Sequence, residues 1–271
     1  MIKSRISFLI FPAIALLAGC SFFSGKKEAR SVNEQMVLAT LYQQTAAEYD
    51  ALCYQAFNMA EIMIRDAKSR ELGGELAIIT DIDETVLDNS PYQAACILNN
   101  YSYPTKWDEW CLKVEAKAVP GSQQFFNFVA AQGIQVFYIT NRKEHLKECT
   151  LENLIRRGFP MADEAHLLMR EKDNSKEIRR RLVEGRYRVV LLLGDNLDDF
   201  TNAFEEKTPG DRQQVAQKLK SSFGRRFIMF PNAMYGSWET SLYDQKDTLG
   251  LETEKETRYH FLTPFPSSGQ K

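Results

Sequence analysis

Carboxylates at the ends of apolar runs are the residues of this chain best placed for chemistry. In "AIITDIDETVLDNSPY", residues 77–92, Ala77, Ile78 and Ile79 lead into Asp81, Asp83, Glu84 and Asp88. Like charges at that spacing repel, so either a positive partner or a reaction that uses carboxylates must account for them. A second acidic group, Asp195, Asp198 and Asp199, closes the run "VVLLLGDNLDDF". Thr140, Asn141 and Arg142 close a third, "IQVFYITNR". The acidic donors are all oxygens, and no Cys or His accompanies them, which suits a hard cation. Mg²⁺ fits because it keeps several waters and takes only one or two carboxylates plus substrate phosphate. A calcium-binding hand is excluded on spacing: the sixth position of a loop starting at Asp81 is Val86 rather than Gly. His145, His166 and His260 are scattered, and surface or core roles suit each.

These groups can act together only if the fold gathers them. "ELAIITD", "IQVFYIT", "HLLM", "YRVVLLLGD" and "RFIMFP" predict five strands. Amphipathic stretches alternate with them: "SQQFFNFVAAQ", "EHLKECTLENLIRRG", "NSKEIRRRLVEG" and "RQQVAQKLKSSFG". Continuous apolar strands alternating with helices predict an α/β fold whose parallel sheet is covered by helices on both faces. Such sheets place their sites at the carboxyl ends of the strands. Asp81 and Asp83, Thr140 to Arg142, and Gly194 to Asp199 should therefore meet on one rim. Ahead of the sheet, residues 32–70 carry an unbroken helical pattern that Gly73 and Gly74 end.

The chain has 271 residues, 44% hydrophobic, ample for one large domain or one domain with an insertion. A net charge of -2 gives no basic surface for nucleic acid. The short basic cluster Arg179, Arg180 and Arg181 reads as a solvated helix face. At the start, Lys3 and Arg5 precede an apolar run from Ile6 to Leu17. It is shorter than the roughly 20 residues a membrane span needs and fits the core of a secretion signal. "LAGC" at residues 17–20 resembles a bacterial lipoprotein signal. The implied order is a signal peptide at 1–19, a lipidated tether at 20–31 beginning at Cys20, and a domain at 32–271. Acyl chains such as palmitate on Cys20 would anchor the protein to a membrane. By analogy with lipoprotein sorting, Ser21 after the Cys favours the outer membrane of a bacterial envelope. Cys53, Cys96, Cys111 and Cys149 lack the CxxC spacing of zinc or redox motifs, and any disulfide pairing among them stays open.

Four motifs occur in a telling order: DxDxT after the first strand, Thr140 after the second, Lys176 at a helix start, and GDxxxD after the fourth. Together they resemble the haloacid dehalogenase superfamily. The longer forms "DIDETVLDNSPY" and "LLLGDNLDDF" resemble the class C (DDDD) acid phosphatases and, with the lipoprotein signal, the outer-membrane lipoprotein e type 5′-nucleotidases. Thr80 departs from the aliphatic residue more usual there.

The resemblance implies a HAD-like sheet with an accessory helical layer or cap, at about 32–72 and 89–120. It implies Asp81 as the nucleophile and Asp83 as general acid, then base. Thr140, Asn141 and Lys176 would bind the phosphoryl group, with Lys172 a rival to Lys176. Mg²⁺ would be held by Asp81, the Asp83 carbonyl and Asp195, with Asp199 behind them. Asp198 is the alternative to Asp199, and either could instead cap the next segment. Trp107 and Tyr235 would stack on a substrate ring, or else fill the core as Trp110 and Trp238 are expected to. The implied activity is a Mg²⁺-dependent acid phosphomonoesterase acting on nucleoside 5′-monophosphates and aromatic phosphomonoesters. A phosphotransferase or a non-catalytic surface lipoprotein are the rivals. A homodimer is left open.

Overall fold

β-Branched and aromatic side chains fill the apolar runs, and every strand expected from them forms. In the computed structural model, residues 32–70, 73–172, 174–243 and 251–265 are described. The signal peptide, the tether and Cys20 lie outside the described residues. The strands are β1 (Leu76–Thr80), β2 (Leu87–Asp88), β3 (Lys117–Ala118), β4 (Gln135–Lys143), β5 (Leu167–Arg170), β6 (Arg188–Gly194) and β7 (Phe227–Met229). The helices are α1 (Val37–Thr45), α2 (Ala47–Ser69), α3 (Ser90–Asn99), α4 (Trp107–Lys113), α5 (Ser122–Ala131), α6 (Lys147–Arg156), α7 (Glu177–Glu184), α8 (Pro209–Lys218), α9 (Ser237–Thr240) and α10 (Leu251–His260). Among the described residues, no helix is long and apolar enough to cross a membrane.

Five strands form a parallel sheet in the order β5-β4-β1-β6-β7. Alternate side chains point to opposite faces, so each strand feeds two cores. Ile78, Val136, Tyr138, Leu191 and Leu193 join Phe57, Ile64, Phe125 and Phe126 of α2 and α5 on one face. Ala77, Ile79, Phe137, Ile139 and Leu192 join Val183 of α7 and Phe200 on the other. Burial on both sides explains why the strands read as unbroken apolar runs.

The long helical pattern is divided. A 3-10 turn over Val32–Met36 leads into α1, and Ala46 takes an extended conformation before α2 starts. Thr45 contributes to the break by donating its hydroxyl to the Leu41 carbonyl at 2.7 Å. The two halves also bury against different neighbours: α1 against α3, and α2 against α5, β6 and β7. Between β2 and β3, which pair antiparallel, the chain makes α3 and α4 above the sheet's carboxyl rim. Cys53, Cys96, Cys111 and Cys149 are all buried and free.

Candidate active site

The rim is built by a tight turn and three strand ends. After β1 the amides of Val86 and Leu87 both donate to the Ile82 carbonyl at 2.8 Å. Glu84 takes a φ of 62° inside this turn, a left-handed conformation uncommon for a residue with a Cβ. The Asp81 amide donates to the Leu193 carbonyl of β6 at 2.9 Å, which ties the two acidic motifs together. Thr80 is buried and its hydroxyl donates to the Asp81 carbonyl at 2.7 Å.

Asp81, Asp195 and Asp199 are buried, and each offers a carboxylate oxygen within 4.8 Å of the others. Lys176, the residue capping the start of α7, is 7% exposed. Its ammonium donates to Asp81 and, at 2.6 Å, to Asp199. Lys172 is exposed. Asp195 accepts from the Asn232 side-chain amide at 2.8 Å and from the Thr85 hydroxyl at 3.4 Å. Asp199 accepts the Asn196 amide at 2.9 Å. Asp198 turns away to Arg212, at 2.7 Å, and Ser237. Gly194 is needed here for space: a Cβ at that position would lie 2.4 Å from Asp199 Oδ2.

Burial first, then the nearby carboxylates, pushes the Asp195 carboxyl well above its usual range. Burial also raises Asp81, to about 7, with Lys176 opposing the shift. Burial acts to lower the Lys176 value, but Asp199 and Asp81 outweigh it and keep the ammonium charged. With all three ionised, the carboxylates face one directly bonded ammonium among the described residues, two charges short of neutrality. A buried set of oxygen donors with that deficit fits a hard divalent cation.

Asp83 sits outside that set. It forms a salt bridge with Arg142, which is 3% exposed, at 2.8 Å. Thr140 is fully buried, and its hydroxyl donates to Asp83 at 3.3 Å. Asn141 is exposed and accepts from Arg179 at 2.7 Å. Arg179 and Arg180 are buried, which corrects the reading of this cluster as a solvated face. Arg179 donates to the Thr140 carbonyl at 2.5 Å, and Arg180 to the carbonyls of Asp198 and Asp199 at 2.8 and 3.0 Å. The two arginines stitch the ends of β4 and β6 to α7, and of the three only Arg181 faces solvent. An open polar cleft of ≈ 520 Å³ runs along this rim past Asn141, Ser175, Lys176, Asn196 and Asp199.

The aromatic residues divide differently from the sequence expectation. Trp107 is 9% exposed, edge-on to Tyr92 with ring centres 5.0 Å apart, with the Arg142 guanidinium 5.5 Å from its ring centre. Tyr235 is half-buried beside Trp238, whose indole N–H donates to the Tyr235 carbonyl at 3.2 Å. Trp238, expected in the core, is 47% exposed, because α9 is a single turn lying on the rim. Sequence reasoning gave Arg142, Asn89, Thr85 and Asn232 no role. Arg142 carried a signal, since it ends the same strand as Thr140, and Thr85 and Asn89 lie within the motif DIDETVLDNSPY.

A family model described as HAD superfamily, subfamily IIIB (acid phosphatase) matches residues 24–238. The class C acid phosphatase from Bacillus anthracis superposes with a TM-score of 0.85 at 40% identity, covering 87% of this chain and 99% of that one. Its structure with tungstate bound gives the same TM-score at 41% identity, covering 86% and 99%. Acid phosphatase 1 of Solanum lycopersicum is 30% identical over 183 residues, 62% of this chain and 63% of its own length. A stem 31 kDa glycoprotein of Glycine max is 28% identical over 179 residues, with the same shares. The chain therefore spans just under two thirds of these plant relatives. Its match to the family model, supported by a shared fold at 40% identity, establishes that the chain belongs to the HAD superfamily, subfamily IIIB, the acid phosphatases.

Proposed function

We propose that the chain hydrolyses phosphomonoesters through an aspartyl-phosphate on Asp81. The observation that carries this reading is the convergence of buried Asp81, Asp195 and Asp199 within 4.8 Å, with the Lys176 ammonium bonded to two of them. In the first step an Asp81 carboxylate oxygen attacks phosphorus and the ester P–O bond breaks. Asp83 gives its proton to the departing oxygen. In the second, Asp83 takes a proton from water, the water oxygen bonds to phosphorus, and the Asp81–phosphorus bond breaks to release phosphate.

Thr140, Asn141 and Lys176 receive the phosphoryl oxygens, Lys176 supplying fixed positive charge as negative charge spreads over them. Tungstate, a tetrahedral oxyanion, binds the Bacillus anthracis relative, and an anion of that shape suits these groups. Asp81, the Asp83 carbonyl and Asp195, with Asp199 behind them, would hold Mg²⁺. Once bound, that ion would add two positive charges beside the phosphoryl group.

For substrate we propose nucleoside 5′-monophosphates and aromatic phosphomonoesters, with Tyr235, half-buried and two residues before the cleft-lining Ser237, as the stacking surface and Trp107 beneath the cap. We place the protein at a bacterial outer membrane, held by lipid on Cys20. Hydrolysis of p-nitrophenyl phosphate with and without a chelator tests the reaction, and nucleotides set against sugar phosphates test the substrate class. Activity that survives complete metal removal would reject the cation. A Cys20→Ala protein that stays in the membrane fraction would reject the anchor.

A further inference from the structure

Asp83 is held by a network that treats its two oxygens differently. Oδ1 accepts from Arg142 Nη2 at 2.8 Å, from Arg142 Nε at 3.0 Å and from Asn89 Nδ2 at 2.8 Å. Oδ2 has only longer contacts, with Arg142 Nε and the Thr140 hydroxyl, both at 3.3 Å. An oxygen that already accepts three short N–H bonds has no lone pair left for a proton, so a protonated Asp83 must carry its hydrogen on Oδ2.

The donors themselves have little freedom. Asn89 is fully buried; its amide donates to Glu84 Oε1 at 2.7 Å, and its side-chain oxygen accepts the Trp110 indole N–H at 2.8 Å. Arg142 also donates to the Thr150 hydroxyl at 3.2 Å and lies over the Trp107 ring. A planar guanidinium engages a carboxylate through two nitrogens at once, which fixes direction as well as charge. Trp107 and Trp110 both lie on α4, so the helices above the rim are joined to this carboxylate.

We propose that Arg142 and Asn89 are positioning residues for Asp83: they occupy Oδ1, reserve Oδ2 for the proton and aim it at the leaving oxygen, with Trp110 holding Asn89 in place. The inference rests on the reading of Asp83 as the general acid. It makes proton delivery depend on the packing of α4, whereas phosphoryl binding depends on Lys176 and Thr140. Misdirecting the acid should cost most when the departing oxygen is a poor leaving group, because p-nitrophenolate leaves with little help from a proton.

The test measures kcat/KM, which reports steps only as far as departure of the leaving group and so leaves out the Asp83-assisted hydrolysis of the aspartyl-phosphate, for p-nitrophenyl phosphate and for an alkyl phosphate, with Mg²⁺ supplied. Asp83→Ala, Arg142→Lys, Asn89→Ala and Trp110→Phe are compared. Loss of general-acid help should lower kcat/KM for the alkyl ester by about 100-fold in Asp83→Ala, and by at least about 10-fold in Arg142→Lys and Asn89→Ala. The p-nitrophenyl ester should change several-fold less. Trp110→Phe keeps an aromatic ring, though a smaller one, and removes the N–H, so it should show the same selectivity in weaker form and carries the test should Arg142→Lys fail to fold. If Asp83→Ala is selective for the alkyl ester but the other variants slow both esters equally, the positioning role is overturned and the acid assignment stands. If Asp83→Ala slows both equally, the acid assignment falls, and the inference with it.

Discussion

Asp81 and Asp83 are two residues apart, yet the protein surrounds them in opposite ways. Asp81 shares a buried cluster with Asp195 and Asp199 that has a single bonded ammonium. Asp83 has a guanidinium of its own, two further hydrogen-bond donors and partial access to solvent. One carboxylate is left short of positive charge and the other is fully supplied. Among the described residues, Arg142 pairs with Asp83, while no cation other than Lys176 bonds a carboxylate of the Asp81 cluster. The deficit around Asp81 fits a divalent cation, whereas the bonds around Asp83 hold that carboxylate in one orientation.

The sharpest way to break that contrast is at Asp81 itself. Asp81→Asn keeps size and hydrogen bonding but cannot form the acyl phosphate, so kcat should fall by at least about 10³-fold. Circular dichroism should be unchanged. Turnover near the original rate would reject the nucleophile assignment. Lys176→Met is the next largest change, since it removes the cluster's own cation. A loss of about 10²–10³ in kcat is expected. The variant should also bind divalent cations differently, because Asp81 and Asp199 lose their shared partner.

Gly194→Ala probes the same cluster through shape alone. The new methyl carbon would sit 2.4 Å from an Asp199 oxygen, so Asp199 must move. Displacing a group that supports a metal site costs about 10–100-fold in metal affinity or activity. An isothermal titration with Mg²⁺ should show the weaker affinity directly, and an unchanged affinity would remove Asp199 from the cation's surroundings. The "GD" of the motif is thus a packing requirement as well as a chemical one.

The charge deficit also sets a pH dependence. Asp81 titrates near 7 in the fold against an ordinary 3.8, so the folded protein holds this proton more tightly than the unfolded chain does. Its contribution to stability is full below the unfolded value and is lost as pH rises through the folded one. Asp195 is shifted in the same direction. In chelator, the melting temperature should therefore fall by several degrees between pH 4 and pH 7. Mg²⁺ should raise it more at pH 7 than at pH 4, where protons compete for the same oxygens. A melting curve indifferent to Mg²⁺ at pH 7 would count against the cation.

The cluster was far easier to foresee than the surroundings of Asp83, for a physical reason. Parallel strands buried on both faces leave long apolar runs, and their carboxyl ends converge whatever the loops do, so Asp81, Thr140 and Asp195 could be brought together from pattern alone. Arg142, Asn89 and Trp110 meet through tertiary packing of α4 against the β4 end. Periodicity carries no trace of such a contact across 53 residues of sequence. The arginines of α7 misled for a related reason. A three-residue basic run looks solvated, but at a helix start facing a rim of carbonyls two of its members have acceptors to reach. The break at Ala46 was hidden because each half of the helix has its own partner.

The smallest effect should come from Lys172, the sequence's other candidate for the phosphate-binding cation. It lies between β5 and α7, as Lys176 does, but it is exposed while Lys176 is buried against two carboxylates. An exposed ammonium is well solvated and screened, so it contributes little fixed field at phosphorus. Lys172→Ala should leave kcat/KM within the equivalent of about 0.5 kcal/mol for p-nitrophenyl phosphate. Should it matter for a nucleotide and not for that small ester, Lys172 would belong to recognition of the part of the substrate beyond the phosphate. A large loss on both would mean that the loop closes over the phosphoryl group, and the division between a deficient cluster and a saturated acid would have to admit a third, mobile charge.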